Sequence, residues 1–260
     1  MLSGSAVLCC AIALFAGPLS GGVKLTVIEG RPVVDGVYVN GHGPFRFLVD
    51  TATTLNHMEP RLGQSIGLTA NFRTELTSSV GTILASGRRG TEIVLGAAQA
   101  DNQTFLFAGM EAVHQLSSGI QGILGQEFLS RFDYRLDLHG KQLEFGHQDG
   151  SGKHAPLRML DGRAAVSTNL GDLILDSGTA ALILFGIKAD RGETSYLRTI
   201  AGGQIVGMAY SRLLIEGSRM WSGQAVALPN RTEPGVAGLM PVNLFRSVYI
   251  CNSERYAIFE

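Results

Sequence analysis

The chain spells out one pattern twice, and that repeat limits the folds open to it. In the first half, Gly36 to Asn40 alternates in character, Asn40-Gly41 and the following His42-Gly43 form a tight turn, and Phe45 to Val49 climbs back to Asp50. In the second half, Ala164 to Asn169 alternates, Leu170-Gly171 turns, and Leu173 to Leu175 delivers Asp176. Both hairpins end on an acid. Each half then carries a second set of parts in the same order. The first has Gly122-Ile123-Leu124-Gly125, Glu127-Phe128-Leu129, a strand over Phe132 to Leu138, a turn at His139-Gly140 and a closing strand over Gln142 to Phe145. The second has Gly238-Leu239-Met240-Pro241, Asn243-Leu244-Phe245, a strand over Val248 to Ile250, a polar turn at Asn252 to Glu254 and a closing strand over Tyr256 to Phe259.

Two lobes follow from this repeat, 24–147 and 162–260, joined by a linker at 148–161 that carries Gly150, Gly152, Lys153 and Pro156. The lobes are not identical. Pro60 at a first turn and Gly67 just past an end predict a short helix after Asp50, whereas no such signal follows Asp176. Short Val, Ile, Leu, Thr, Tyr and Phe runs between turn signals, among 34 glycines, place the chain in the all-β class. With 45% apolar residues it can bury a large core, and with 17% charged residues and a net charge of -1 it has no basic stripe to neutralise phosphates. Nucleic acid is therefore not an expected partner.

Residues 1–23 hold no charged side chain, and Ala6 to Gly17 is an apolar run followed by Pro18, Ser20 and Gly21. The run is shorter than the ~20 residues of a membrane span and reads as a secretory leader, with an N-terminal anchor as the alternative. The expectation is an exported protein, on a membrane only if this segment is retained. Cys9 and Cys10 lie inside it, which leaves Cys251 alone beyond it, so no internal disulfide is expected and the core must hold the fold.

The chemistry-bearing residues are Asp50-Thr51-Ala52-Thr53 and Asp176-Ser177-Gly178-Thr179. Burying a carboxylate behind Phe47-Leu48-Val49 or Leu173-Ile174-Leu175 costs several kcal/mol unless it is paired or hydrogen-bonded. A site shared across a pseudo-twofold axis supplies the reason, because two carboxylates that close hold one proton between them. Thr51 and Ser177 would brace the opposite loop, and small residues at 52 and 178 let backbone N–H groups reach the acids. Taken singly, an Asp before Thr or Ser is more often a turn former.

These residues resemble the Asp-Thr/Ser-Gly signatures of the pepsin and retropepsin superfamily, and the length resembles a bacterial retropepsin-like peptidase with two lobes fused in one chain. The resemblance implies a bilobed acid-protease fold and an aspartic endopeptidase, with Asp50 and Asp176 activating a water to attack a peptide bound extended between the lobes. It implies no cofactor and no metal, and one chain suffices as a monomer. Ile123-Leu124-Gly125 matches the family's apolar-apolar-Gly element, and Leu239-Met240-Pro241 departs from it at the last position. The family's flap hairpin has two candidates, one around Val80, Gly81 and Thr82 and one around Gly202 and Gly203, neither with a tyrosine near its tip. Ala52 stands where the family has Gly, which bears on turnover rather than fold and leaves a non-catalytic peptide-binding or dimerising relative as the alternative.

The remaining polar residues read more plainly. His57, His114, His139 and His147 show no metal-ligand spacing, Cys251 has no recognisable His partner, and Asp133 and Asp137 at period two suggest the solvent face of a strand.

Overall fold

The computed structural model describes residues 22–78, 81–148, 153–190, 192–199, 201–216, 218–230 and 233–260. The first lobe runs β1 (Val23–Ile28), β2 (Arg31–Val39), β3 (His42–Val49), β4 (Asn56–Met58), α1 (Pro60–Ser65), β5 (Phe72–Ser78), β6 (Gly81–Leu95), β7 (Ala98–Phe107), α2 (Glu111–His114), β8 (Gly122–Leu124), α3 (Gln126–Leu129), β9 (Tyr134–Asp137) and β10 (Gln142–Phe145). The second runs β11 (Ala155–Leu160), β12 (Arg163–Thr168), β13 (Gly171–Asp176), β14 (Ile183–Phe185), β15 (Thr194–Thr199), β16 (Gly202–Ile215), β17 (Ser218–Leu228), β18 (Gly238–Pro241), a 3-10 turn at Val242–Leu244, β19 (Ser247–Cys251) and β20 (Tyr256–Phe259). It is an all-β, two-lobed acid-protease fold with few short helices.

The strands of one lobe correspond one by one to those of the other. In each, an N-terminal hairpin leads into an acid-bearing strand, β3 or β13. That strand pairs in parallel with a short apolar strand, β8 or β18, whose other edge runs antiparallel to β4 or β14. The acid therefore sits in the turn that crosses over the end of a buried parallel pair. Parallel strands are buried on both faces and favour unbroken apolar runs, and Phe47, Leu48 and Val49 and Leu173, Ile174 and Leu175 are all buried. Gly122 and Gly238 permit the crossing. A Cβ on Gly122 would stand 2.7 Å from the His57 carbonyl oxygen, and one on Gly238 would collide with that of Ile183.

The lobes share a third sheet in the order β1, β10, β9, β19, β20, β11, with the pseudo-twofold axis between β9 and β19. Apolar side chains from both lobes form one continuous core against it, with Tyr134, Leu136, Val248 and Ile250 fully buried.

Several sequence expectations meet the structure with adjustments. The expected helix is α1, opened by Pro60. The expected linker holds β11 in its second half, which pairs with β12 and β20 and so opens the second lobe. Val23, counted with the leader, is the first residue of β1 and pairs with Leu143. Residues 1–21, where the leader or anchor is expected, lie outside the described residues. Among the described residues no helix is long and apolar enough to cross a membrane.

Candidate active site

Asp50 follows β3 and Asp176 ends β13, and the two turns are laced together by four hydrogen bonds across the lobes. Thr51 Oγ1 donates to the Leu175 carbonyl at 2.7 Å and accepts from the Ser177 N–H at 3.0 Å. Ser177 Oγ donates to the Val49 carbonyl at 2.6 Å and accepts from the Thr51 N–H at 3.0 Å. Each hydroxyl thus bridges the backbone of the opposite turn, and both residues are fully buried. Buried polar groups persist only when paired, so this lattice brings the two acids to one place.

Within each turn the backbone aims at its own acid. Asp50 Oδ1 accepts from the N–H groups of Ala52 at 2.9 Å and Thr53 at 3.2 Å, and Oδ2 accepts from Thr53 Oγ1 at 2.8 Å. Asp176 Oδ1 accepts from the N–H groups of Gly178 at 2.7 Å and Thr179 at 3.1 Å. The Thr179 hydroxyl turns instead to the backbone of Ala181. Asp50 thus has one more donor than Asp176. Burial raises both carboxyls above the ordinary range, and for Asp176 the neighbouring Asp50 charge adds to the rise. The negative charge therefore rests more easily on Asp50 than on Asp176.

The two small residues after the acids differ in what surrounds them. A Cβ on Gly178 would collide with the Asp50 carboxylate, so glycine is required for the opposite acid to lie over this turn. Ala52, by contrast, packs its methyl against the second-lobe cluster of Ala165, Ile174 and Ile183, and its N–H still reaches Asp50. The alanine leaves the hydrogen bonding of the first turn intact.

Two arginines join the site that the sequence reading passed over. The turn between β1 and β2 is Glu29-Gly30 and that between β11 and β12 is Asp161-Gly162, with φ of 47° and 79° in the first and 49° and 74° in the second. Each turn is followed by an arginine. Arg31 Nε donates to the Gly178 carbonyl at 2.9 Å, crossing from the first lobe to the second lobe's acid turn, and its charge lowers Asp176. Arg163, buried and ion-paired with Glu233, lowers Asp50. The signal was legible as apolar-acid-Gly-Arg in Ile28 to Arg31 and Leu160 to Arg163.

The departure at Pro241 also has a local explanation. In the first lobe the buried Asn56 Oδ1 accepts the N–H of Gly125 at 3.0 Å. In the second, Pro241 takes the place of Gly125 and has no N–H, and the residue matching Asn56 is the buried Leu182. The polar partner disappears together with the group it would serve.

Both flap candidates are hairpins, β5–β6 and β15–β16. They meet near their tips, where Ser78 Oγ lies 3.0 Å from Thr199 Oγ1. Thr82 Oγ1 lies 3.0 Å from Thr77 Oγ1 across the first hairpin, beside the exposed Gly81, while Val80 lies outside the described residues. In the second, Gly202 takes φ of 130° just after the turn, and Gly203 lies under the Tyr196 ring, where a Cβ would stand 2.5 Å from the hydroxyl. This hairpin thus brings Tyr196 beside Gly203, a tyrosine the sequence reading did not place near the tip because the register of β15 on β16 decides it.

Residues 36–128 match the family model described as aspartyl protease. No curated protein sequence matches the chain. Among similar solved structures is the crystal structure of an aspartic proteinase from Irpex lacteus, 12% identical, with a TM-score of 0.52 over 92% of this chain and 96% of that one. The first lobe thus carries the match to an aspartyl protease family model, and over 92% of its length the chain shares the fold of an aspartic proteinase.

Proposed function

We propose that the protein is an aspartic endopeptidase that hydrolyses peptide bonds with a water held between Asp50 and Asp176. The reading is carried by the cross-lobe lattice of Thr51 and Ser177, which has no evident use other than holding two turns, and hence two carboxylates, face to face. Asp50, with three donors, takes a proton from the water as the water oxygen bonds to the scissile carbonyl carbon. Asp176 gives its proton to the carbonyl oxygen, forming a neutral tetrahedral diol with no covalent bond to the enzyme. Collapse then returns the proton on Asp50 to the leaving nitrogen and one hydroxyl proton to Asp176, which restores the starting pair. The substrate lies extended beneath the two hairpins, pairing its backbone with strand edges and placing alternate side chains in pockets. Export and action as a monomer are part of the same proposal.

The test is hydrolysis of a mixed peptide library from acidic to neutral pH by the wild type, Asp50→Asn and Asp176→Asn. Cleavage by the wild type alone supports the reading. Equal inertness of all three, with peptides still bound, replaces it with a peptide-binding role.

A further inference from the structure

Outside the acid turns, three side chains of metal-ligand type converge at one end of the shared sheet. Tyr134 of β9 pairs with Phe145 of β10 and with Ile250 of β19. Just beyond this row stand Asp133, one residue ahead of β9, His147, two residues past β10, and Cys251, the last residue of β19. The Gly146 N–H donates to the Asp133 carbonyl at 2.8 Å and continues the row. One ligand atom from each of the three residues lies within 4.8 Å of the others. Asp133, which the sequence places on a solvent face, has a side chain only 10% exposed, while that of His147 is 44% exposed and Cys251 is fully buried.

His147 turns Nδ1 to Asp133 Oδ2 at 3.3 Å and to the Tyr249 hydroxyl at 3.5 Å. The surroundings steady the acid. Ser253 donates to Asp133 from its N–H at 2.9 Å and from its hydroxyl at 2.7 Å, and Asn252 Nδ2 donates to the Phe132 carbonyl at 2.6 Å, fastening the β19–β20 turn beside the group.

We propose that Asp133, His147 and Cys251 form a binding site for a divalent transition-metal cation of the zinc type. A thiolate and a carboxylate neutralise the two charges of such an ion. A thiolate with an imidazole selects against magnesium and calcium, which take oxygen ligands. Binding displaces the thiol proton to solvent, and the exposed side of His147 leaves a fourth position open to water. Asp133 and His147 belong to the first lobe and Cys251 to the second, so the ion ties the lobes across β9 and β19. It does so where, among the described residues, Cys251 is free and no disulfide joins the lobes.

The experiment strips the full chain with a chelator and titrates it with Zn2+ by calorimetry and with Co2+ by absorbance. The site predicts one ion per chain, a thiolate-to-cobalt charge-transfer band, and a rise in melting temperature with Zn2+. Cys251→Ser removes the band and weakens Zn2+ binding roughly 100-fold, and His147→Ala, at a half-exposed position, weakens it at least about tenfold. Asp50→Asn leaves both readouts unchanged, which separates this site from the acid pair and from the endopeptidase reading. Absence of the band in folded wild type, or Zn2+ binding that survives both His147→Ala and Cys251→Ser, overturns the proposal.

Discussion

Replacing Thr51 with valine is the sharpest probe of how the two acids are held. Valine keeps the shape of the side chain and removes the hydroxyl, which deprives the Leu175 carbonyl and the Ser177 N–H of a partner in the dry interior. A buried donor or acceptor left unsatisfied costs about 1–3 kcal/mol. Two of them make Thr51→Val roughly 2–4 kcal/mol less stable, because a carbonyl retains part of its bonding capacity elsewhere. For a chain of this size each kcal/mol moves the melting point ~2–4 °C. Thr51→Ser keeps both bonds and loses only a methyl group, about 1 kcal/mol.

Because the same bonds set the spacing of the acids, Thr51→Val lowers kcat about 100-fold while Thr51→Ser stays within about tenfold of wild type. Combining Thr51→Val with Ser177→Ala costs less than the sum of the two, since either change alone loosens both turns. Urea unfolding and peptide hydrolysis, measured on all four variants, decide the matter. Equal stability of Thr51→Val and Thr51→Ser, within about 0.5 kcal/mol, refutes the account, and so does full activity in Thr51→Val.

Three further outcomes follow from the site and its surroundings. Gly178→Ala pushes the Asp50 carboxylate aside and lowers kcat/KM about 100-fold, whereas Ala52→Gly changes it less than about tenfold; like responses at the two positions would contradict the difference in their surroundings. Arg31→Met removes a charge that lowers Asp176, so the shared proton is held to higher pH and the basic limb of the kcat/KM profile moves upward; a downward shift would be the wrong sign. His57 is buried and held down to about 4 from 6.5, so the unfolded chain takes up the proton first. Stability therefore falls by about 3 kcal/mol as pH drops from 6.5 to 4, and denaturant melts of His57→Leu should lack that part of the decline.

Much of this architecture was legible because it is local. The hairpins that end on Asp50 and Asp176, the helix after Pro60 and the closing strands Gln142–Phe145 and Tyr256–Phe259 all have turn chemistry and alternation within a dozen residues. What escaped depends on partners distant in the chain. Strand β11 looked like linker because its glycine-rich lead-in and Pro156 outweighed a short run whose partners, β12 and β20, lie on either side of it in space. The arginines after the two acid-Gly turns are passed over in the sequence because their role is set by the fold, which carries Arg31 across to Gly178. The exchange of Asn56 and Gly125 for Leu182 and Pro241 makes sense only once β4 is seen beside β8. Likewise Cys251 gains His147 as a neighbour through sheet order, which no spacing along the chain encodes.

The shared six-stranded sheet divides evenly, three strands from each lobe, and among the described residues the only ladder that spans the two lobes is β9 on β19. A chain cut between β10 and β11 would keep every other strand pair within a single fragment. Two separately made polypeptides could then find each other edge to edge and rebuild the whole from halves, as a heterodimer whose acids come one from each partner.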